Sequence, residues 1–193
     1  RLNGTVRTNI TSALDSIELY VSDLNGSDEN GNGSTDNPFK SISKALSQGY
    51  KISTNITVHV LEGTYSGNLN TNLRIPTTVD VLLAGEGVNK TIITDSTADY
   101  FITALAGNSK LTLSNMTVNR AARDTQSAIY VEEGANVEID NVAFIGGQGN
   151  YGGAINSLGN LLINNSYFFD NGYFDISKRA NAYYGGAIYN DES

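Results

Sequence analysis

The sequence predicts an all-β fold: a right-handed, single-stranded parallel β-helix (solenoid) of about six coils with an N-terminal capping α-helix. Three observations lead there. The first is compositional: of 193 residues, 24 are Asn, 20 Gly, 18 Ser and 17 Thr, about 41% together. These residues sit poorly inside helices and ordinary strands, so their abundance demands either disorder or very many turns. An apolar fraction of 39% with 11 Tyr and 6 Phe weighs against disorder. The second observation is a repeat. Leu111-Thr-Leu113-Ser-Asn115-Met-Thr-Val118, Val137-Glu-Ile139-Asp-Asn141-Val-Ala-Phe144 and Leu161-Leu-Ile163-Asn-Asn165-Ser-Tyr-Phe168 align without gaps, at intervals of 26 and 24 residues. The third is another landmark in step with it: Ile102, Ile129, Ile155 and Ile188 recur at 27, 26 and 33 residues, and a turn glycine at Gly107, Gly134 and Gly159. Two independent marks sharing one period describe the coil of a solenoid.

Residues 1–18 read as an N-terminal segment or linker and 19–51 as a capping segment. After the polar run Ser22–Asp36, Asn37-Pro38 supplies an N-cap and a proline suited to the first helical position. Ile42, Ala45, Leu46 and Tyr50 then fall at helical spacing and Gly49 marks the end, which predicts a helix over about 38–48. Such a helix covers the apolar end of a stack that would otherwise be an open edge. Residues 52–193 read as the β-helix itself, truncated at its C-terminal end. Ile56-Thr-Val58-His-Val60 and Val79-Asp-Val81-Leu-Leu83 open it, and Gly185-Gly-Ala-Ile188 begins a coil that is not completed. At a period of about 24 residues the segment holds about six coils. Within each repeat apolar and polar residues alternate, so Leu111, Leu113 and Asn115 point one way. Asn115, Asn141 and Asn165 are therefore expected to form an inward structural ladder at a corner, hydrogen-bonding one another.

Composition also excludes. With no Cys there is no disulfide, thiol chemistry or Cys-based metal site, and the single histidine, His59, leaves no His-pair site. A net charge of −8 opposes nucleic acid or an anionic membrane surface as partner. The longest apolar runs are too short to span a bilayer. A chain starting at Arg1, with no signal-like stretch, reads as a mature or excised piece.

Tyr20-Val-Ser-Asp with its Gly/Asn/Asp-rich loop, then Asn37-Pro-Phe-Lys-Ser-Ile-Ser-Lys-Ala-Leu46, resembles the capping region of right-handed parallel β-helix surface proteins. Leu83-Ala-Gly-Glu-Gly87 followed by Thr91-Ile-Ile93 is similar to the first-coil signature of that group. Gly152-Gly-Ala-Ile155 with Phe168-Phe-Asp-Asn171 resembles the paired GGAI and FxxN repeats of polymorphic outer-membrane proteins and archaeal adhesin-like proteins. Two earlier coils depart from it, reading Val118-Asn-Arg-Ala and Phe144-Ile-Gly-Gly at the FxxN position. The resemblance covers about residues 19–193. It implies the N-terminal part of a large, repetitive adhesin of pectin-lyase-like fold, extracellular, at the cell surface or in the cell wall. Its partners would be glycans or proteins of another cell or of the envelope. The function expected is a non-catalytic module displaying loops for attachment. The alternative is a carbohydrate-active β-helix, a polysaccharide lyase or glycoside hydrolase, because those enzymes share the coil.

No catalytic residue is assigned. Asp124, Asp140, Asp170 and Asp175 with Arg120, Arg123 and Arg179 are the raw material for lyase chemistry, but they form no cluster in sequence. Glu132 and Glu133 lie in a turn, and His59 alternates outward. The interval Phe168 to Gly185 exceeds its counterparts by nine residues, carrying Tyr173, Phe174, Lys178, Arg179, Tyr183 and Tyr184. Aromatic and basic side chains on a protruding loop suit sugar stacking or a partner, and equally a loop folded back over the coil. Asp23, Asn25, Ser27 and Asp28 form an oxygen-rich run that reads either as a calcium loop or as a polar turn before the cap. No other cofactor is expected. Asn3, Asn9, Asn25, Asn32, Asn55, Asn89 and Asn164 stand in glycosylation sequons, as does Asn115, whose inward position would shield it. The incomplete last coil offers an end for end-to-end self-association.

Overall fold

A computed structural model describes residues 16–94, 100–107, 110–120, 126–172 and 186–191. Its elements run β1 (Ile17–Val21), α1 (Ile42–Gly49), β2 (Asn55–Val60), β3 (Gly63–Tyr65), β4 (Leu73–Ile75), β5 (Asp80–Gly85), β6 (Thr91–Thr94), β7 (Ile102–Ala104), β8 (Lys110–Asn119), β9 (Ile129–Val131), β10 (Asn136–Ile145), β11 (Ile155–Ser157), β12 (Asn160–Asn164), β13 (Tyr167–Phe169) and β14 (Ile188–Asn190). Every strand pairing is parallel, and each joins a strand to its counterpart one coil away.

Three faces result. The first stacks β1, β2, β5, the first half of β8, the first half of β10, and β12. The second stacks β3, β6, the second halves of β8 and β10, and β13. The third stacks β4, β7, β9, β11 and β14. Inward residues meet in register, so that Ile56, Val81, Leu111 and Val137 form one apolar column and Val58, Leu83, Leu113 and Ile139 another, each at most 3% exposed.

Four turns carry the chain from β2 to β12, and β12–β14 run on into the next, which corrects the expectation of about six coils. The coils are longer than the shortest repeat: registered partners Ile56, Val81, Leu111, Val137 and Leu161 are spaced by 25, 30, 26 and 24 residues. The first face does hold six strands, but one of them, β1, precedes the helix and straddles the expected boundary at residue 18.

The helix starts later than expected. Residues 38–40 are held as an extension of the sheet: the Phe39 N–H donates to the Tyr20 carbonyl, and the Ser22 N–H to that of Phe39, each at 2.9 Å. Helix geometry begins only after Ser41, whose Oγ accepts from the Lys44 N–H at 3.2 Å. Asn37 and Pro38 are thus loop residues, not the cap. Ile42, Ala45 and Leu46 seal the N-terminal end of the core.

The corner between the first two faces is made by asparagine. In β8 the buried apolar positions are 111, 113, 116 and 118, so the alternation slips by one residue at Asn115, where φ is 54°. Asn141 (φ 52°) and Asn165 (φ 47°) repeat the left-handed bend. Among the described residues every non-glycine position with positive φ is Asn or Asp, the types that tolerate it. Because the bend moves the side chain off the inward column, Asn115 and Asn141 are part-buried at the corner and Asn165 is exposed, where all three had been expected to point inward. Asn141 Nδ2 donates to Asn115 Oδ1 at 2.8 Å, whereas Asn165 Nδ2 turns to Asp140 Oδ1 at 2.9 Å.

Candidate functional site

Strands of the third face are three residues long, so only the central side chain of each projects outward. Register aligns these as Arg74, Thr103, Tyr130, Asn156 and Tyr189, one per coil. Tyr100, two residues before Ile102, lays its ring against that of Tyr130, with centroids 5.1 Å apart and planes 20° from parallel. Tyr151 meets Tyr189 edge-on at 5.2 Å. Four tyrosines thus flank Asn156. Its Oδ1 is buried and accepts no hydrogen bond. Arg120, at the end of β8, is only 1% exposed. Burial pushes the Tyr100 hydroxyl above its ordinary pKa, opposed by the Asn156 side chain and by the Arg120 charge. The arrangement offers ring faces and edges and phenol hydroxyls, and it can hold a polyhydroxylated ligand by stacking and hydrogen bonding.

A family model, described as "Protein of unknown function (DUF1565)", matches residues 24–183. The chain belongs to this family. No curated protein and no solved structure matches it.

The other predicted residues of this DUF1565 chain that the structure describes lie apart from the tyrosine face. Tyr173, Phe174, Lys178, Arg179, Tyr183 and Tyr184, like Arg123, Asp124, Asp175, Asn3 and Asn9, fall outside the described residues. In the N-terminal loop the oxygens serve the fold. Asp28 Oδ1 accepts the N–H groups of Lys40 (2.9 Å) and Ser41 (3.0 Å), Ser27 Oγ accepts that of Asn30, and Asp23 pairs with Lys40 Nζ at 2.9 Å. Asn25, beside them, is exposed and donates its N–H to Ser22 Oγ. Among the described residues no three His, Asp or Glu gather as metal ligands.

Of the sequon asparagines, Asn25, Asn32, Asn55, Asn89 and Asn164 are exposed. The Thr91 hydroxyl of the Asn89 sequon is fully buried and donates to the Val60 carbonyl at 2.9 Å. Glu132 is no idle turn residue: its Oε2 accepts the Ala106 N–H of the preceding coil at 2.9 Å, as Glu86 accepts that of Glu62 at 2.8 Å. His59 stacks on Tyr20 with 4.6 Å between centroids, its Nε2 3.4 Å from Glu18 Oε2. On the first face Lys110 Nζ meets Glu138 Oε2 at 2.5 Å over a depression of about 480 Å3 bordered by Asp80 and Asn136.

The GGAI and FxxN motifs acquire structural roles. Asn171 accepts the Gly147 N–H at 3.0 Å and donates to the Phe144 carbonyl at 2.8 Å, tying one coil to the last. Gly153 lies where a Cβ would come within 2.3 Å of the Gly172 nitrogen. What sequence reasoning missed is the tyrosine face. The signal was present: Tyr130 and Tyr189 each follow the recurring isoleucine by one residue, the position that alternation turns outward.

Proposed function

We propose that the protein is a non-catalytic module of the cell surface, cell wall or envelope that attaches to glycans through its third face. The observation behind this is the set of tyrosine rings brought together on one face, Tyr100 stacked on Tyr130 and Tyr151 edge-on to Tyr189. Sugars supply the C–H faces that stack on tyrosine and the hydroxyls that pair with its phenol group. A rigid solenoid suits attachment, since each coil adds the same outward position and holds it in register with its neighbours. The test is titration with oligosaccharides of the Tyr130→Ala and Tyr189→Ala variants beside the parent. Both are expected to bind at least about tenfold more weakly, the range of one lost stacking contact. Equal binding by parent and variants would defeat the assignment. Incubation with pectin, alginate and glycosaminoglycans is expected to give no unsaturated or reducing-end product, and turnover of any of them would replace attachment by the polysaccharide lyase or hydrolase reading.

A further inference from the structure

Sequons are plentiful in this chain, but in the folded protein an acceptor must present its carboxamide and the hydroxyl two residues on together, at the surface. The structure separates the described sequons on that ground. Asn55 and Thr57 lie within β2, which is paired on both sides, and Ile56 between them is fully buried. Asn115 Oδ1 accepts from Asn141 Nδ2, and Met116 after it is fully buried. In the Asn89 sequon Thr91 is fully buried. The Ser166 hydroxyl of the Asn164 sequon donates to the Asn164 carbonyl at 2.7 Å and accepts the Val142 N–H of the preceding coil at 3.1 Å. At Asn25 the next two N–H groups are committed elsewhere, that of Gly26 to the Ser22 carbonyl and that of Ser27 to the Pro38 carbonyl, each at 3.0 Å.

Asn32-Gly33-Ser34 is built differently. Asn32 and Ser34 are both exposed, as are residues 35–37 that follow. Asn32 Oδ1 accepts the Ser34 N–H at 3.0 Å, which closes an Asx-turn and folds the tripeptide back on itself. Gly33 permits the bend: its φ is 82°, and a Cβ there would come within 2.6 Å of the Phe39 ring. The turn is held by its own loop, since the Asn32 and Gly33 N–H groups both donate to the Asn37 carbonyl, at 3.0 and 3.1 Å. Ser34 Oγ accepts the Asn37 N–H at 3.2 Å and keeps its own proton to donate. The Asx-turn uses the carboxamide oxygen and leaves Nδ2, the atom that takes a sugar, outside the bond. Accepting a hydrogen bond at that oxygen also draws electron density from Nδ2 and eases loss of its proton.

We infer that Asn32 is an attachment site for an N-linked glycan, delivered from a polyprenyl-pyrophosphate-linked oligosaccharide. In the transfer Asn32 Nδ2 loses a proton and bonds to the anomeric carbon of the first sugar. The bond from that carbon to the pyrophosphate oxygen breaks, and the leaving pyrophosphate keeps its electron pair. The product is still an amide whose oxygen accepts from Ser34, so the loop carries the glycan without refolding. This site is separate from the tyrosines of the third face and does not rest on them.

The experiment presents the folded protein to a detergent-solubilised oligosaccharide transferase with a polyprenyl-pyrophosphate-linked oligosaccharide. Glycopeptide mass spectrometry then reads the occupancy of each sequon. Asn32 is expected to carry the glycan, while Asn25, Asn55, Asn89, Asn115 and Asn164 stay bare. Asn32→Gln and Ser34→Ala should lose the modification at an unchanged melting temperature, because both side chains are exposed. Ser34→Thr keeps the hydroxyl and should keep the glycan, which separates the loss of an acceptor from a disturbed loop. Asn32→Gln should bind oligosaccharides as the parent does, which keeps this site apart from the third face. Three results would overturn the inference: a bare Asn32 in the folded parent, equal occupancy at another described sequon, or a glycan on Asn32 that survives Ser34→Ala.

Discussion

Asn141 adopts a backbone conformation that most residues avoid, and its side chain donates to Asn115 across the coil step. Two substitutions separate these contributions. Asn141→Gly keeps the left-handed bend and loses the hydrogen bond, an expected cost of about 1 kcal/mol. Asn141→Ala loses both and should cost about 1–2 kcal/mol more by chemical denaturation. Tyr65 is the buried counterpart. It is fully enclosed, its hydroxyl accepts the Asp23 N–H at 3.1 Å, and the carbonyls of Leu61 (2.9 Å) and Val21 (3.1 Å) share its proton. Burial raises its pKa to about 12 from 10.0; the Asp23 backbone hydrogen bond lowers it slightly, and the charges of Asp23 and Glu86 add to the rise. The folded state thus keeps this proton more tightly than the unfolded chain. The associated stability is complete below pH 10 and is lost as pH rises to about 12. Melting temperature followed from pH 9 upward should fall across that window in the parent. It should fall less in Tyr65→Phe, which is already about 1–3 kcal/mol less stable at neutral pH because Asp23 loses its acceptor.

At the level of single elements, α1 depends on Ser41 for its start, and Ser41→Ala should cost about 1 kcal/mol. The same change at Asn37, the cap that the Asn-Pro signature had suggested, should leave helix content unchanged by circular dichroism, because the helix does not begin there. Strand β5 meets a tighter limit at Gly85. A Cβ on that residue would lie 2.2 Å from the Asn115 carbonyl oxygen of the next coil, and backbone cannot yield as a side chain can. Gly85→Ala is therefore expected to lose about 2–3 kcal/mol, with the midpoint of urea unfolding as the readout.

Across the whole molecule, coils touch only their neighbours, so protection should follow position in the stack. The burial pattern of β10 alternates between buried and half-buried, while β12 alternates between half-buried and exposed. Hydrogen exchange should accordingly be slowest in β8 and β10 and fastest in β12–β14. Uniform protection throughout would show a single cooperative unit instead.

The sequence by itself determined the parallel coil, its inward columns and a corner at Asn115 and Asn141, because alternation and a fixed repeat are written in consecutive residues, whereas the left-handed bend that turns these side chains off the column came only with the structure. The coil count, the helix start and the tyrosine face were decided elsewhere. Phe39 prefers a strand edge supplied by Tyr20, nineteen residues earlier, to the first turn of a helix. Tyr100, Tyr130, Asn156 and Tyr189 meet only because four separate coils stack in register. Propensity acts over a few neighbouring residues, whereas register is settled by burying whole apolar columns at once, and that energy exists only when the coils are closed.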